Sequence, residues 1–123
     1  MMEGFEVTAD TVKEQLKSGE PLFFVNLRHH QDWDTAIFKA RGALRVPDDE
    51  VERHLVEIPR DRAVVIYSVC QGDEPSIRAA QLLQQQGFND VHPLVGGLNA
   101  YLQAGLPVEE IDDRGKKKKM MWL

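Results

Sequence analysis

Residues 63–80 read AVVIYSVCQGDEPSIRAA. Ala63 to Ser68 form a continuous apolar, β-branched run, the pattern of a strand buried on both faces. Residues 75–87, PSIRAAQLLQQQG, carry the opposite period: Pro75 stands near the start, Ile77, Ala80, Leu82 and Leu83 repeat at helical spacing, and Gly87 is a stop. Between them lie the chain's single cysteine, Cys70, and a short polar loop with two acids, Asp73 and Glu74. A buried strand that feeds a helix through a short loop is the working half of a βαβ unit.

The flanking sequence extends this reading in both directions. Thr8 caps a helix expected over about Ala9 to Lys17, with Val12 and Leu16 on one face and Gly19 ending it. LFFVNL (22–27) reads as a second buried strand, and ALRV (43–46) as a short one before Pro47. Arg28 to Asp34 is polar, and a short helical turn is expected around Trp33 to Phe38. In DDEVERHLVEI (48–58), Val51, Leu55 and Ile58 repeat at helical spacing and acids fill the first turn, which predicts a helix. DVHPLV (90–95) reads as a strand, Gly96-Gly97 as a tight turn, and about Leu98 to Ala104 as the last helix. Strands alternating with helices imply an α/β domain with a mainly parallel sheet. Ligands of such sheets sit beyond the carboxyl ends of the strands, where Cys70 falls.

Composition narrows the function classes. A chain of 123 residues with 42% hydrophobic and 28% charged residues suits one soluble globular domain. The longest apolar stretch, Ala63 to Tyr67, is too short to cross a bilayer, and no membrane association is expected. The opening MMEGFEVTAD lacks a basic segment followed by an apolar one, and a lone cysteine makes no internal disulfide, so a cytoplasmic location is expected. The net charge of −5 divides into −10 over residues 1–113 and +5 over residues 114–123. The acidic body argues against nucleic-acid binding. Residues 1–113 are read as the domain, and the basic end RGKKKKMMWL (114–123) as a flexible tail.

A thiolate is the reactive form of cysteine. Inward-facing loop amides and the positive end of the following helix would favour it; Asp73 and Glu74 would oppose it if they faced the sulfur. A lone cysteine beside a strand is often only a small buried hydrophobe, but a position between strand end and helix start favours chemistry. The other candidates read as structural. His29-His30 are adjacent and point apart, so they suit a polar loop better than a metal site. His54 reads as a helix-surface residue, His92 as a strand-surface one, and Trp33 and Tyr101 as packing.

Four segments together resemble the rhodanese-like sulfurtransferase domains: VTADTVKEQLKSGEPLFFVNLR, ARGALRVP, IYSVCQGDEPSIRAAQLLQQQGF and VHPLVGGLNAYLQAGLPV. The likeness runs over roughly residues 5–110. It implies a three-layer domain whose central, mainly parallel sheet of about five strands is flanked by helices on both faces. It implies that Cys70 accepts a sulfane sulfur as a persulfide and passes it to a thiol, cyanide or protein acceptor. The loop amides of Gln71, Gly72, Asp73, Glu74, Pro75 and Ser76, with the Ser76 hydroxyl, would hold the sulfur or an anionic donor. Arg28 would support the site, and neither a metal nor an organic cofactor is implied. The partner would be a small sulfur donor or a persulfide-carrying protein. Asn26 departs from the family's usual Asp. The acids of the loop are expected to repel a dianionic donor such as thiosulfate.

Two other functions fit less of this pattern. A catalytically inactive rhodanese-like module would use the loop only as a protein-binding surface. A cysteine phosphatase or arsenate reductase needs positive charge around the developing anion, and residues 71–75 contain no Arg or Lys.

Overall fold

The computed structural model describes residues 4–28, 38–69 and 72–110. Its elements in chain order are α1 (Ala9–Lys17), β1 (Leu22–Arg28), β2 (Phe38–Ala40), β3 (Leu44–Pro47), a 3₁₀ helix (Val51–Glu57), β4 (Ala63–Ser68), α2 (Glu74–Gln85), β5 (Val91–Pro93), α3 (Gly97–Gln103) and β6 (Val108–Glu110). Four strands form a parallel sheet in the order β3-β1-β4-β5. A single parallel bridge between Val7 and Leu94 prolongs it at the β5 edge.

Each strand residue belongs to one of two cores because side chains alternate across a sheet. Phe24, Val65 and Tyr67 face α1 and α3, where Val12 and Tyr101 meet them. Val25, Leu27, Val64 and Ile66 face α2, where Ala79, Ala80 and Leu83 pack, together with Val51 of the 3₁₀ helix. Helices therefore cover both faces, as the apolar runs of β1 and β4 require. All six residues of β4 are buried. No helix of the described residues is long and apolar enough to cross a membrane.

Local chemistry accounts for the helix ends. The Thr8 hydroxyl accepts the Thr11 N–H at 3.2 Å, which caps α1, and Asp10 and Lys17 complement its dipole. The helix expected over 48–58 is instead a 3₁₀ helix of seven residues. The Asp48 N–H is spent on the Arg28 carbonyl at 2.9 Å and the Glu50 N–H on Pro47 at 3.0 Å, so the first residues form a turn. At the other end Ile58 precedes Pro59 and is extended (φ −100°, ψ 122°). Seven residues, Val51 to Glu57, are left between these two ends, and they take the 3₁₀ form.

Two further features depart from the sequence reading. The turn expected around Trp33 to Phe38 lies mostly outside the described residues, and Phe38 itself begins β2. That strand pairs antiparallel with β6 to make a small ribbon, anchored by the Lys39 ammonium on Glu109 (2.7 Å) and on the Ala43 carbonyl (2.8 Å). His92 is buried, not on the strand surface: its ring contacts the Phe5 carbonyl oxygen at 3.0 Å and Asp90 at 2.6 Å. The basic tail, 114–123, lies outside the described residues.

The α1/α3 core contains both tyrosines of the chain. Tyr101 stacks on Tyr67 with centroids 6.0 Å apart and meets Phe24 edge-on at 5.6 Å. The Tyr67 hydroxyl accepts the Ala40 N–H at 2.8 Å, and the Tyr101 hydroxyl donates to Pro107. Burial pushes the Tyr67 phenol well above its ordinary value and Tyr101 up to about 12. Values raised in the fold stabilise it below the unfolded value near 10, and that contribution is lost as pH climbs toward the folded values. Phenolate absorbance should therefore stay absent through about pH 10 and then rise together with loss of the circular-dichroism signal. Tyr67→Phe, which strands the Ala40 N–H, should cost about 1–3 kcal/mol in urea denaturation.

Candidate functional site

Ser68 ends β4, and the chain then enters the loop that carries Cys70. Cys70 and Gln71 lie outside the described residues; the residues on either side of them are held in place. The Ser68 hydroxyl donates to the Gly72 carbonyl at 3.1 Å. Gly72 has φ +89°, a conformation that favours glycine. The Asp73 carbonyl accepts the Ile77 N–H at 2.9 Å and the Ser76 hydroxyl at 2.8 Å, which starts α2. Ser76 is completely buried, so its hydroxyl serves the helix start. Pro75 occupies the first turn, where its missing N–H costs nothing. Glu74 is exposed and sits 4.0 Å from Arg78, one turn on.

The Asp73 carboxylate does not cap α2. Its two oxygens lie 3.2 and 3.1 Å from the Gly96 N–H, in the turn between β5 and α3. That turn also touches the end of β4: a Cβ on Gly97 would stand 2.6 Å from the Ser68 carbonyl oxygen, and Gly97 has φ +58°. The Gly96-Gly97 pair is thus the second wall of the loop, required by close backbone approach as well as by turn geometry. One of the two loop acids is committed to holding this wall, and the other lies in solvent beside an arginine.

A second polar group lies across the carboxyl half of the sheet, on the α1/α3 face. Asn26 of β1 is in register with Arg45 of β3 on one side and Tyr67 of β4 on the other. Asn26 is 0% exposed, and neither polar atom of its carboxamide has a hydrogen-bond partner; nor has the buried Nε of Arg45. Such orphan groups cost about 1–3 kcal/mol each. Burial first, and then the neighbouring Arg28 guanidinium, hold Arg45 below the usual arginine range, against the opposing effect of Tyr67. Arg28, at the end of β1, has an interaction of its own.

On the α2 face, a groove of about 550 Å³ runs beside the loop between Pro75 and Arg78 of α2 and the acidic segment Asp48 to Glu52. Among the described residues no group of three His, Cys, Asp or Glu side chains is placed to hold a metal. The expected site residues Gly72 to Ser76 are gathered at the strand end, and Arg28 ends the neighbouring strand. Arg45 and the Asp73–Gly96 tie were not foreseen. A charged residue inside the otherwise apolar ALRV strand was the available signal for Arg45; the tie joins residues 23 positions apart and leaves no local pattern.

A parallel sheet with a cysteine loop at the carboxyl end of an inner strand defines a class of α/β domains with reactive strand-end loops. The rhodanese-like domain model matches residues 8–104, and the chain belongs to that family. It is 31% identical over 103 residues to a sulfurtransferase of Allochromatium vinosum, covering 84% of this chain and 92% of that protein. It is 28% identical over 106 residues to the "Probable adenylyltransferase/sulfurtransferase MoeZ" of Mycobacterium tuberculosis, covering 85% of this chain and only 26% of that longer protein. The crystal structure of the Alr3790 protein from Anabaena sp. superposes with a TM-score of 0.68 at 30% identity, covering 84% of this chain and 90% of that one.

The two walls of the loop make separable predictions. Gly97→Ala forces a methyl group onto the Ser68 carbonyl at a positive φ and should cost about 1–3 kcal/mol, read as a lowered melting temperature. Asp73→Ala should cost about 1 kcal/mol, while Asp73→Asn, which keeps an acceptor for Gly96, should recover most of it.

Proposed function

We propose that the chain is a sulfurtransferase that carries a sulfane sulfur on Cys70. What supports this most directly is family membership joined to the position of Cys70, between the end of an inner parallel strand and the amino end of α2. The Cys70 thiolate attacks the outer sulfur of the donor. A new S–S bond forms on Cys70, the donor's own S–S bond breaks, and its remainder leaves with the electron pair; thiosulfate would release sulfite. An acceptor thiolate then attacks the outer sulfur of the persulfide, and Cys70 departs as the thiolate. Electrons balance without an external oxidant or reductant.

The loop N–H groups of Gln71, Gly72, Asp73, Glu74 and Ser76, with the positive end of α2, stabilise the anionic sulfur in this reading. Ser76 acts through the helix start and Asp73 through the Gly96-Gly97 turn; both are positioning residues. Arg28 supports the strand end. The acceptor is a small thiol, cyanide or a partner protein. The charged groove beside Pro75 favours a second reading, a module that docks a protein and transfers nothing.

Steady-state turnover of a sulfane donor with cyanide as acceptor separates the two. Cys70→Ser should fold like the wild type and lose all turnover; wild-type rates in that variant would end the persulfide reading. Glu74→Gln should change kcat/KM by less than about twofold, because an exposed, solvent-screened carboxylate acts weakly on the donor.

A further inference from the structure

Asn26 and Arg45 pose a problem that the persulfide reading does not use. They are register partners in adjacent parallel strands, so their side chains leave the sheet on the same face. Asn26 is wholly buried with both ends of its carboxamide unsatisfied, and the Arg45 Nε is buried and unsatisfied beside it. Buried polar groups of folded proteins are nearly always satisfied, so a concentration of orphans at one place marks missing ligand atoms. The groups on offer are mostly donors: the guanidinium only donates, and the amide presents two N–H bonds. The Tyr67 hydroxyl, in register with Asn26, accepts from Ala40 and still has its own proton to give. Arg28 adds a second guanidinium close enough to Arg45 to perturb it. A metal cation would be repelled. A small hydrated oxyanion satisfies the set, its oxygens accepting from the nitrogens and its water donating to the Asn26 carbonyl oxygen.

We propose that Asn26 and Arg45, with Arg28 beside them, form a binding subsite for a small inorganic oxyanion, used for the oxyanion end of the sulfur donor. Assigning the donor to it rests on the Cys70 reading; the anion site itself does not. Arg45 stays partly open to solvent, which gives the ligand a way in. The subsite also places positive charge at the carboxyl half of the sheet, on the side away from Glu74.

Sulfate, phosphate and thiosulfate are the probes, titrated into the full chain at constant ionic strength with chloride as balance, and thiosulfate into Cys70→Ser so that no turnover intervenes. Calorimetry and melting curves should show saturable binding and mutual competition. Arg45→Gln should weaken all three by about tenfold or more. Asn26→Leu should melt a few degrees higher in anion-free buffer, because the orphan amide is gone, and should lose the anion response. Thiosulfate binding well above phosphate marks a donor site; equal affinities mark a general oxyanion site, which overturns only the donor assignment. The anion site is overturned if sulfate acts no differently from chloride, if Arg45→Gln binds like the wild type, or if Asn26→Leu gains stability with unchanged affinity. Loading with a neutral organic trisulfide separates this from the persulfide reading. The wild type should take up one sulfur atom from it, whereas failure to do so, with its anion binding intact, would count against Cys70 and leave the subsite standing.

Discussion

Ser68 and Gly97 approach so closely that no side chain fits between them: the nearest position for a Cβ is 2.6 Å from the Ser68 carbonyl oxygen. The contact follows from the parallel sheet. β4 and β5 are neighbours running in the same direction, so the turn that leaves β5 comes down on the end of β4. Asp73 then reaches back from the start of α2 to the Gly96 N–H. The end of β4, the start of α2 and the Gly96-Gly97 turn are thereby tied to one another. The rigidity this needs comes from one close backbone approach and short side-chain ties to backbone, none of which depends on a flexible cationic side chain.

Charge is distributed around this site by location. The acids of the loop look like a barrier to anionic donors only while their directions are unknown. Asp73 spends its carboxylate on an N–H, and Glu74 is exposed beside Arg78. Opposite them, β1 and β3 bring Arg28 and Arg45 to the carboxyl half of the sheet, with Arg45 partly withdrawn from water. Charges in such places interact over short range and are screened less than those on the surface. The acidic net charge of the body therefore says little about the field near the loop.

Much of the fold was legible because its signals are local. β4 is the run Ala63–Ser68, α1 follows its Thr8 cap, and α2 begins within a residue of its expected start. The misses have physical causes. β2 and β6 have three residues each and contain Lys39, Glu109 and Glu110, so no apolar period marks them; they are held by a buried ion pair between distant positions. The 48–58 segment has a helical apolar repeat, but the turn hydrogen bonds at its start and the extended Ile58 before Pro59 confine it to seven residues, which take the 3₁₀ form. His92 looked like a surface residue because its partners, Phe5 and Asp90, come from the strand's neighbour and its own approach. At the candidate site, Gly72 to Ser76 lie between β4 and the first turn of α2, where the sequence placed them. The neighbours that hold it, Gly96 and Gly97, meet it only through the sheet.

The central claim is that sulfur rests on Cys70. It is tested most directly by reacting the purified chain with a sulfane donor, removing the excess, and mapping the added mass by peptide mass spectrometry. The account predicts one added sulfur atom per chain, located on the Cys70 peptide, and its disappearance on addition of cyanide with thiocyanate released in equal amount. An unmodified Cys70 after exposure to thiosulfate, a persulfide and a trisulfide would contradict it.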